Sequence, residues 1–356
     1  MSESNLFPAM IVAFTITVAF MFALRPVAES AGLIDRPGGR KTHDGDVPII
    51  GGMAMFVGVF SGLVLLQGPS ISLGSLFVAS LLILFIGALD DRFGLSAVVR
   101  LVTQIAAVLI MVFGAGLQLG DIGDPFGTGI IGLGPLSLAI TVLVTLTVIN
   151  AYNFIDGADG LAGTMALIAL LAIAVVGGYG IASTAIALTV AAGILAFLIF
   201  NLPTKYNRAV RSFMGDAGST LLGFTIVWVT LGVSQGSERL ISPVYCLWFA
   251  AVPIFDCLTC FVRRAIAGKS PLSPGRDHLH HTLYRGGFGV RQTLSILTGI
   301  QFLYTLIALA AWYLAVPEFV MFGCWSVLGL TQRLQIKFLA RHRRRILRRR
   351  GQVKAA

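Results

Sequence analysis

Apolar residues along this chain come in long runs, separated by short stretches that hold nearly all of the charged residues. The runs are about 20 residues long, the length a helix needs to cross the hydrocarbon core of a bilayer. Eleven spans are predicted, at 6–24, 47–66, 72–89, 99–117, 133–150, 160–177, 181–200, 217–234, 241–262, 293–315 and 317–336. They are apolar all round with Gly and Ala interspersed, as expected of helices packed against helices and lipid. The short alternating strands of a membrane β-barrel are not evident. The first run does not read as a cleavable leader, because no basic segment precedes it and Arg25 follows it.

Composition agrees with the pattern. The 356 residues are 56% hydrophobic and only 12% charged, whereas a soluble domain carries roughly 25% charged residues. That excludes a water-facing surface and a disordered chain, and four Cys are too few for a disulfide scaffold. Sorting the basic residues into alternate loops puts 25 of 26 on one side, leaving only Arg239 opposite. The positive-inside rule then places the N-terminus outside and the C-terminus in the cytoplasm. The expectation is an all-α integral membrane protein of about eleven transmembrane helices, with its active site on cytoplasmic loops. Residues 1–336 would form one polytopic catalytic domain and 337–356 a basic cytoplasmic tail. That tail, Arg341 to Lys354, suits anionic membrane lipid better than nucleic acid.

The predicted cytoplasmic loops collect all five His and most of the acids. Asp90-Asp91-Arg92 closes the third span. Adjacent carboxylates on a helix point about 100° apart, so both would face one site only if the helix frays. A solvated helix end with Arg92 as counter-ion is the plainer reading of that pair alone. Between spans five and six lie Asn150, Asn153, Asp156 and Asp159 among glycines. Asp156 and Asp159 would be neighbours on one face if that segment were helical. An EF-hand is set aside, because the Glu twelve residues after the first ligand is absent. In Gly215-Asp216-Ala217-Gly218, the acid at the start of span eight can be a helix cap, or hold Mg²⁺ while helix amides face phosphate. The longest loop carries Lys269, Arg276, His278, His280 and His281, and the first loop Arg40, Lys41 and His43. No Cys lies next to the His group in sequence, so anion binding is favoured there over zinc. Cys257 and Cys260 fall inside span nine and read as packing residues, while Asp256 beside them reads as a site residue or, by a small margin, as a helix–helix hydrogen-bonding partner. Carboxylates for a divalent ion and cations for phosphate, together at a membrane surface, point to phosphoryl transfer to or from a lipid. A transporter, the alternative class, would carry its ionisable residues near mid-span.

Taken together, GALDDRFG, NAYNFIDGADGLAG, FMGDAGSTLLGF, SPLSPGRDHLHH and RKTHDGDVPIIGG resemble the motifs of the polyprenyl-phosphate N-acetylhexosamine-1-phosphate transferases, in family order from about residue 25 to 300. The HLHH form and ISPVYCLW are more similar to the branch that initiates O-antigen and related envelope polysaccharides than to the muramoyl-pentapeptide branch. The resemblance implies transfer of GlcNAc-1-phosphate from UDP-GlcNAc to undecaprenyl phosphate, with Mg²⁺ (or Mn²⁺), in the bacterial inner membrane. Another UDP-N-acetylhexosamine as donor, and a homo-oligomer, stay open. Residue by residue, it implies Asp216 and then Asn153 as metal ligands. It implies Asp90, with Asp91 beside it, for deprotonating or positioning the lipid phosphate. Asp156 and Asp159 would face the nucleotide and metal, Asn201 the uridine and Lys41 a phosphate. Arg276, His278, His280 and His281 would hold the sugar and diphosphate. Gly275 stands where relatives usually carry Asp.

Overall fold

The computed structural model describes residues 5–36, 45–68, 70–178, 181–204, 211–237, 239–268, 270, 275 and 277–349. It opens with the long α1 (Leu6–Ala23) and the short α2 (Arg25–Ala31), followed by a two-stranded ribbon of β1 (Ile34–Asp35) and β2 (Val47–Pro48). Then come α3 (Gly51–Gln67), α4 (Ile71–Phe93), α5 (Ala97–Ala115), α6 (Ser137–Ile155), α7 (Leu161–Gly177) and α8 (Ala182–Asn201). The chain continues through α9 (Gly215–Ser234), α10 (Pro243–Phe249), α11 (Ala251–Ile266), α12 (Leu279–Arg285), α13 (Val290–Tyr313) and α14 (Glu318–Arg349).

Among the described residues, seven helices are long and apolar enough to cross a bilayer: α1, α4, α5, α6 with its lead-in turn, α8, α9 and α13. The bent pair α10–α11 makes eight if counted as one span, and α3 and α7 are shorter apolar helices. The protein is therefore an all-α multi-pass membrane protein. Large apolar side chains such as Phe113, Leu330 and Ile71 lie exposed on the outside of the bundle, where lipid takes the place of a covering layer. At the centre stands α9, packed against α3, α4, α6, α7 and α8 and buried along nearly its whole length. Small residues let it sit that close. A methyl group at Gly87 of α4 would lie 2.4 Å from the Cα of Ala217, so the end of α4 and the start of α9 are in backbone contact.

Each predicted apolar run coincides with helix, and the differences lie at the ends and the bends. The ninth run is not one straight rod: α10 and α11 meet at Ala250 with a bend of 87°. Pro253, in the first turn of α11, lacks an N–H and cannot continue the ladder back into α10. The freed backbone groups are taken up by one side chain from α13. Gln301, fully buried, accepts from the Val252 N–H at 2.9 Å and donates to the carbonyls of Trp248 and Phe249 at 2.9 and 3.0 Å. At the other extreme, α14 runs without a break across 336/337, where the tail was expected to begin.

Candidate active site

The site is organised around the first turn of α9. Phe213 bridges to Ile49 beside β2, and Gly215, at φ +75°, turns the chain into the helix. The new helix exposes N–H groups with no partner inside it, and the Asp91 carboxylate supplies one from α4. It accepts from the Asp216 N–H at 2.9 Å and the Ala217 N–H at 3.3 Å. Asp90 points elsewhere, accepting from the Leu95 N–H at 2.6 Å and from Arg100 at 2.8 Å. The fraying of α4 that a shared site was thought to require is not needed: both acids stand in its intact last turn. They serve one site because that turn butts against α9, so side chains 100° apart straddle its N-terminus. The Asp216 carboxylate is held from two sides, by Asn153 Nδ2 at 2.8 Å and by Arg100 at 3.6 Å. Sequence reasoning had used Arg100 only to set orientation.

The segment between α6 and α7 is a loop, so Asp156 and Asp159 do not share a helix face. Asp156 follows the last turn of α6. Its pKa is pushed well above the usual carboxylate value by burial, then by the charges of Asp216, Asp91 and Asp159. Asp159 is paired with Arg211. Asn201 braces this loop: its Oδ1 accepts from the Gly160 N–H at 2.7 Å and its Nδ2 donates to the Ser212 carbonyl at 2.9 Å. Both ends of that amide are engaged within the protein.

The His segment joins the same loop from α12. His280 is buried, and neither ring nitrogen has a hydrogen-bond partner among the described residues. It lies against Gly157, where a methyl group would come within 2.2 Å of Nε2. Burial, then the neighbouring charges of His281 and His278, pushes its pKa well below the ordinary value, so it is neutral at pH 7. The rings of His280 and His281 are 4.1 Å apart. His278 is directed away from the acids, with Nδ1 3.0 Å from Asp256 Oδ2, and Asp256 Oδ1 also accepts from the Leu279 N–H at 3.0 Å. Asp256 is thus the structural partner expected, capping α12 as Asp91 caps α9.

The fold supplies the Cys that the sequence did not place near the His group: Cys260 Sγ lies 3.6 Å from His278 Nδ1. Asp256, Cys260 and His278 could in principle surround a metal ion. The hydrogen bonding around the ring argues otherwise. Burial alone would lower the His278 pKa, but the hydrogen-bonded Asp256 carboxylate, with Cys260 beside it, pushes it up to about 9. The ring then carries a proton on Nδ1, toward Asp256, which takes away the metal-binding lone pair. Its Nε2 lies 3.4 Å from Arg264 Nη2. Arg264 also holds Asp277 at 2.9 Å. A methyl group at Gly275 would come within 2.7 Å of Asp277 Oδ1 and 2.9 Å of Arg264 Nη2, the movable ends of those two side chains. Lys41 and Arg276 lie outside the described residues.

A small cleft, open to the outside, lies beside Asp216. Asp90, Arg100, Asn153 and Asp216 line its polar end, and Ile83 and Leu101 its apolar wall, between α4, α5, α6 and α9. Asp90, Asp91, Asp156, Asp216 and Asn153 are thus one constellation. Its donors are hard oxygens carrying more negative charge than Arg100 offsets, the set that suits a divalent cation such as Mg²⁺.

Glycosyl transferase family 4 matches residues 73–234, the stretch from α4 through α9 that holds all of these groups. Nearly the whole chain is similar to undecaprenyl-phosphate alpha-N-acetylglucosaminyl 1-phosphate transferases. It is 38% identical to that of Escherichia coli strain K12 over 350 residues, 95% of each chain. The Yersinia pestis protein is 36% identical over 348 residues, 94% of each chain. The Haemophilus influenzae protein is 35% identical over 313 residues, 86% of this chain and 87% of its own. The chain belongs to glycosyl transferase family 4 and, within it, to the family of phosphoglycosyltransferases that these relatives represent.

Proposed function

We propose that the protein transfers GlcNAc-1-phosphate from UDP-GlcNAc to undecaprenyl phosphate, giving GlcNAc-diphospho-undecaprenol and UMP. The observation that carries this reading is the acid-rich constellation at the mouth of a cleft between lipid-facing helices, where a membrane-bound phosphate and a soluble nucleotide can meet. A phosphate oxygen of the acceptor attacks the β-phosphorus, a new P–O bond forms, and the bond from that phosphorus to the UMP oxygen breaks. Arg100, between Asp90 and Asp216, draws the acceptor phosphate to that point. Asp90 fixes Arg100, and Asp91 fixes the first turn of α9, whose N–H groups favour anions. A monoester phosphate is largely ionised at neutral pH, so placing it matters more than removing a proton. Asp216 and the amide oxygen of Asn153 would hold Mg²⁺ (or Mn²⁺), with Asp156 close by. When bound, the ion supplies positive charge against the diphosphate and the departing UMP. Neutral His280 and its neighbour His281 present imidazoles beside the Asp156 loop to the sugar phosphate. Asn201 acts through the loop it braces. Lys41 and Arg276 are assigned to phosphate by residue type and family resemblance.

The same proposal includes eleven spans with the N-terminus outside, the C-terminus cytoplasmic, placement in the inner membrane and a role in starting O-antigen or a related envelope polysaccharide. Eleven segments fit it if α3, α7, the α10–α11 pair and the first half of α14 join the seven long apolar helices. The test is an assay of purified protein with undecaprenyl phosphate and either radiolabelled UDP-GlcNAc or UDP-GalNAc, with and without chelator. Chelator-sensitive UMP release with a labelled GlcNAc lipid is expected; a product only from UDP-GalNAc would change the donor, and no lipid product would overturn the reaction.

A further inference from the structure

Away from the acids, positive charge collects where α11, α12 and α14 meet. Arg333, Lys337 and Arg341 stand at successive turns of α14, hence on one face. Arg333 is only 7% exposed. Its Nη1 lies 3.9 Å from Cys260 Sγ on α11, while its buried Nε has no hydrogen-bond partner among the described residues. Two turns further on, Ala340 meets the end of α12, where a methyl group at Gly286 would lie 2.7 Å from its Cα. Arg343 secures the contact, donating to the Gly287 carbonyl at 3.2 Å and to Gln292 at 3.0 Å. Arg263 of α11 and Arg285 of α12, which also donates to the His281 carbonyl at 3.3 Å, are near enough for their charges to act on Lys337. Some burial, and then crowding by Arg333, Arg263, Arg341 and Arg285, lowers the Lys337 pKa. The acid beside them, Asp277, is already engaged by Arg264 at 2.9 Å and Arg263 at 3.3 Å. Cations gathered on three elements, one with a buried unsatisfied nitrogen, call for an anion to complete them.

The surroundings say which kind. Leu334 and Phe338, each one residue beyond a cation of this face, are 64% and 73% exposed, so an apolar strip runs alongside the charges toward the bilayer. We propose that Arg333, Lys337 and Arg341, with Arg263 and Arg285, bind the phosphate of an acidic phospholipid in the leaflet at the active-site end of the bundle, its acyl chains against Leu334 and Phe338. Such a lipid would tie α14 to α12, the helix that carries His280 and His281. The site lies apart from the transferase centre and does not depend on the reaction proposed for it.

The test uses the full-length protein in zwitterionic nanodiscs. Phosphatidylglycerol or inorganic phosphate is added, and thermal midpoint and the phospholipid retained in native mass spectrometry are read. Wild type is expected to retain phosphatidylglycerol in preference to phosphatidylcholine and to melt higher with it, and inorganic phosphate should not reproduce the shift. The Lys337→Gln/Arg341→Gln double variant should bind the lipid roughly 30-fold more weakly, at about a tenfold-or-less loss per charge. Its midpoint without acidic lipid should match wild type, since both side chains are at least partly exposed. Arg36→Gln/Arg291→Gln, which removes two exposed cations that lie off α14, should change binding by no more than about threefold if the inner group is specific. Equal loss in the two double variants, a shift reproduced by inorganic phosphate, or no retained phosphatidylglycerol on wild type would overturn the proposal.

Discussion

At the end of the bundle away from the acid-rich site, the described charges are spent within the chain, on one another or on backbone N–H groups. Arg239 binds Asp121 at 2.8 Å and reaches Glu318 at 3.8 Å. Glu318 also accepts from Ser242 at 2.5 Å and from the Asp124 N–H at 2.6 Å, and Gln235 receives the Gly120 N–H at 2.8 Å. These contacts tie the connection between α5 and α6 to the loops after α9 and α13. At the site end the balance is different. Asp91 and Asp90 are anchored, but Asp216 faces the cleft with one distant guanidinium, and Asp156 adds a buried carboxyl with no described cation beside it. Charge that only closes loops is paired within the chain, whereas charge that works on a ligand is left for the ligand to complete.

Four substitutions would break or sharpen that contrast. The largest effect is expected for Asp216→Asn, which keeps the shape and removes the charge. UMP release should fall about 1,000-fold or more, with a thermal midpoint no lower than wild type, because one of several crowded carboxylates has been relieved. Retained activity would take Asp216 out of the site. Between the two ends, Gln301→Leu strands three backbone groups at the α10–α11 bend. A loss of about 2–4 kcal/mol in unfolding free energy is expected in a denaturant series; an unchanged midpoint would mean that the bend needs no cap.

Arg239→Leu tests the opposite end. Leaving Asp121 and Glu318 without their cation should cost about 1–3 kcal/mol, discounted for partial exposure. Turnover per folded molecule should stay within about twofold, and a large drop would show that the far loops govern the site. The smallest effect concerns pH. His280 is held neutral, so its folded pKa lies below the ordinary 6.5. The unfolded chain then binds the extra proton, and His280 withdraws stability as pH falls below 6.5 while contributing no slope above it. Asp156 has the opposite sign, since its raised pKa makes the fold take up a proton first. The difference between wild type and His280→Phe isolates the histidine: the variant's midpoint should fall less between about pH 7.5 and 5.5. Parallel curves would sink the assignment.

Much of this was legible along the chain. The apolar runs needed only composition and length to be read as helices, and Asp90, Asp216 and the Asn153–Asp159 segment announced themselves as polar groups where polar groups are costly. Other features had no local signal. Asp91 holds the Asp216 N–H at the start of a helix, 125 positions later in sequence, and Arg100 joins the site by reaching back across a turn. Cys260 meets His278 only because α11 and α12 fold together, and the Ala250 bend depends on Gln301 from another helix.

That division has a physical origin. Membrane helices form from short-range terms, since each run must satisfy its own backbone hydrogen bonds in lipid and its composition suffices to show it. A binding site depends on which ends abut and which side chains cross between them. Small residues such as Gly87 and the first turn of α9 settle that by letting backbones approach, so the sequence determined the spans and the polar residue types. Only the tertiary structure decided that Asp91 would hold a helix, Asp216 would face the cleft and the basic face of α14 would lie against α12.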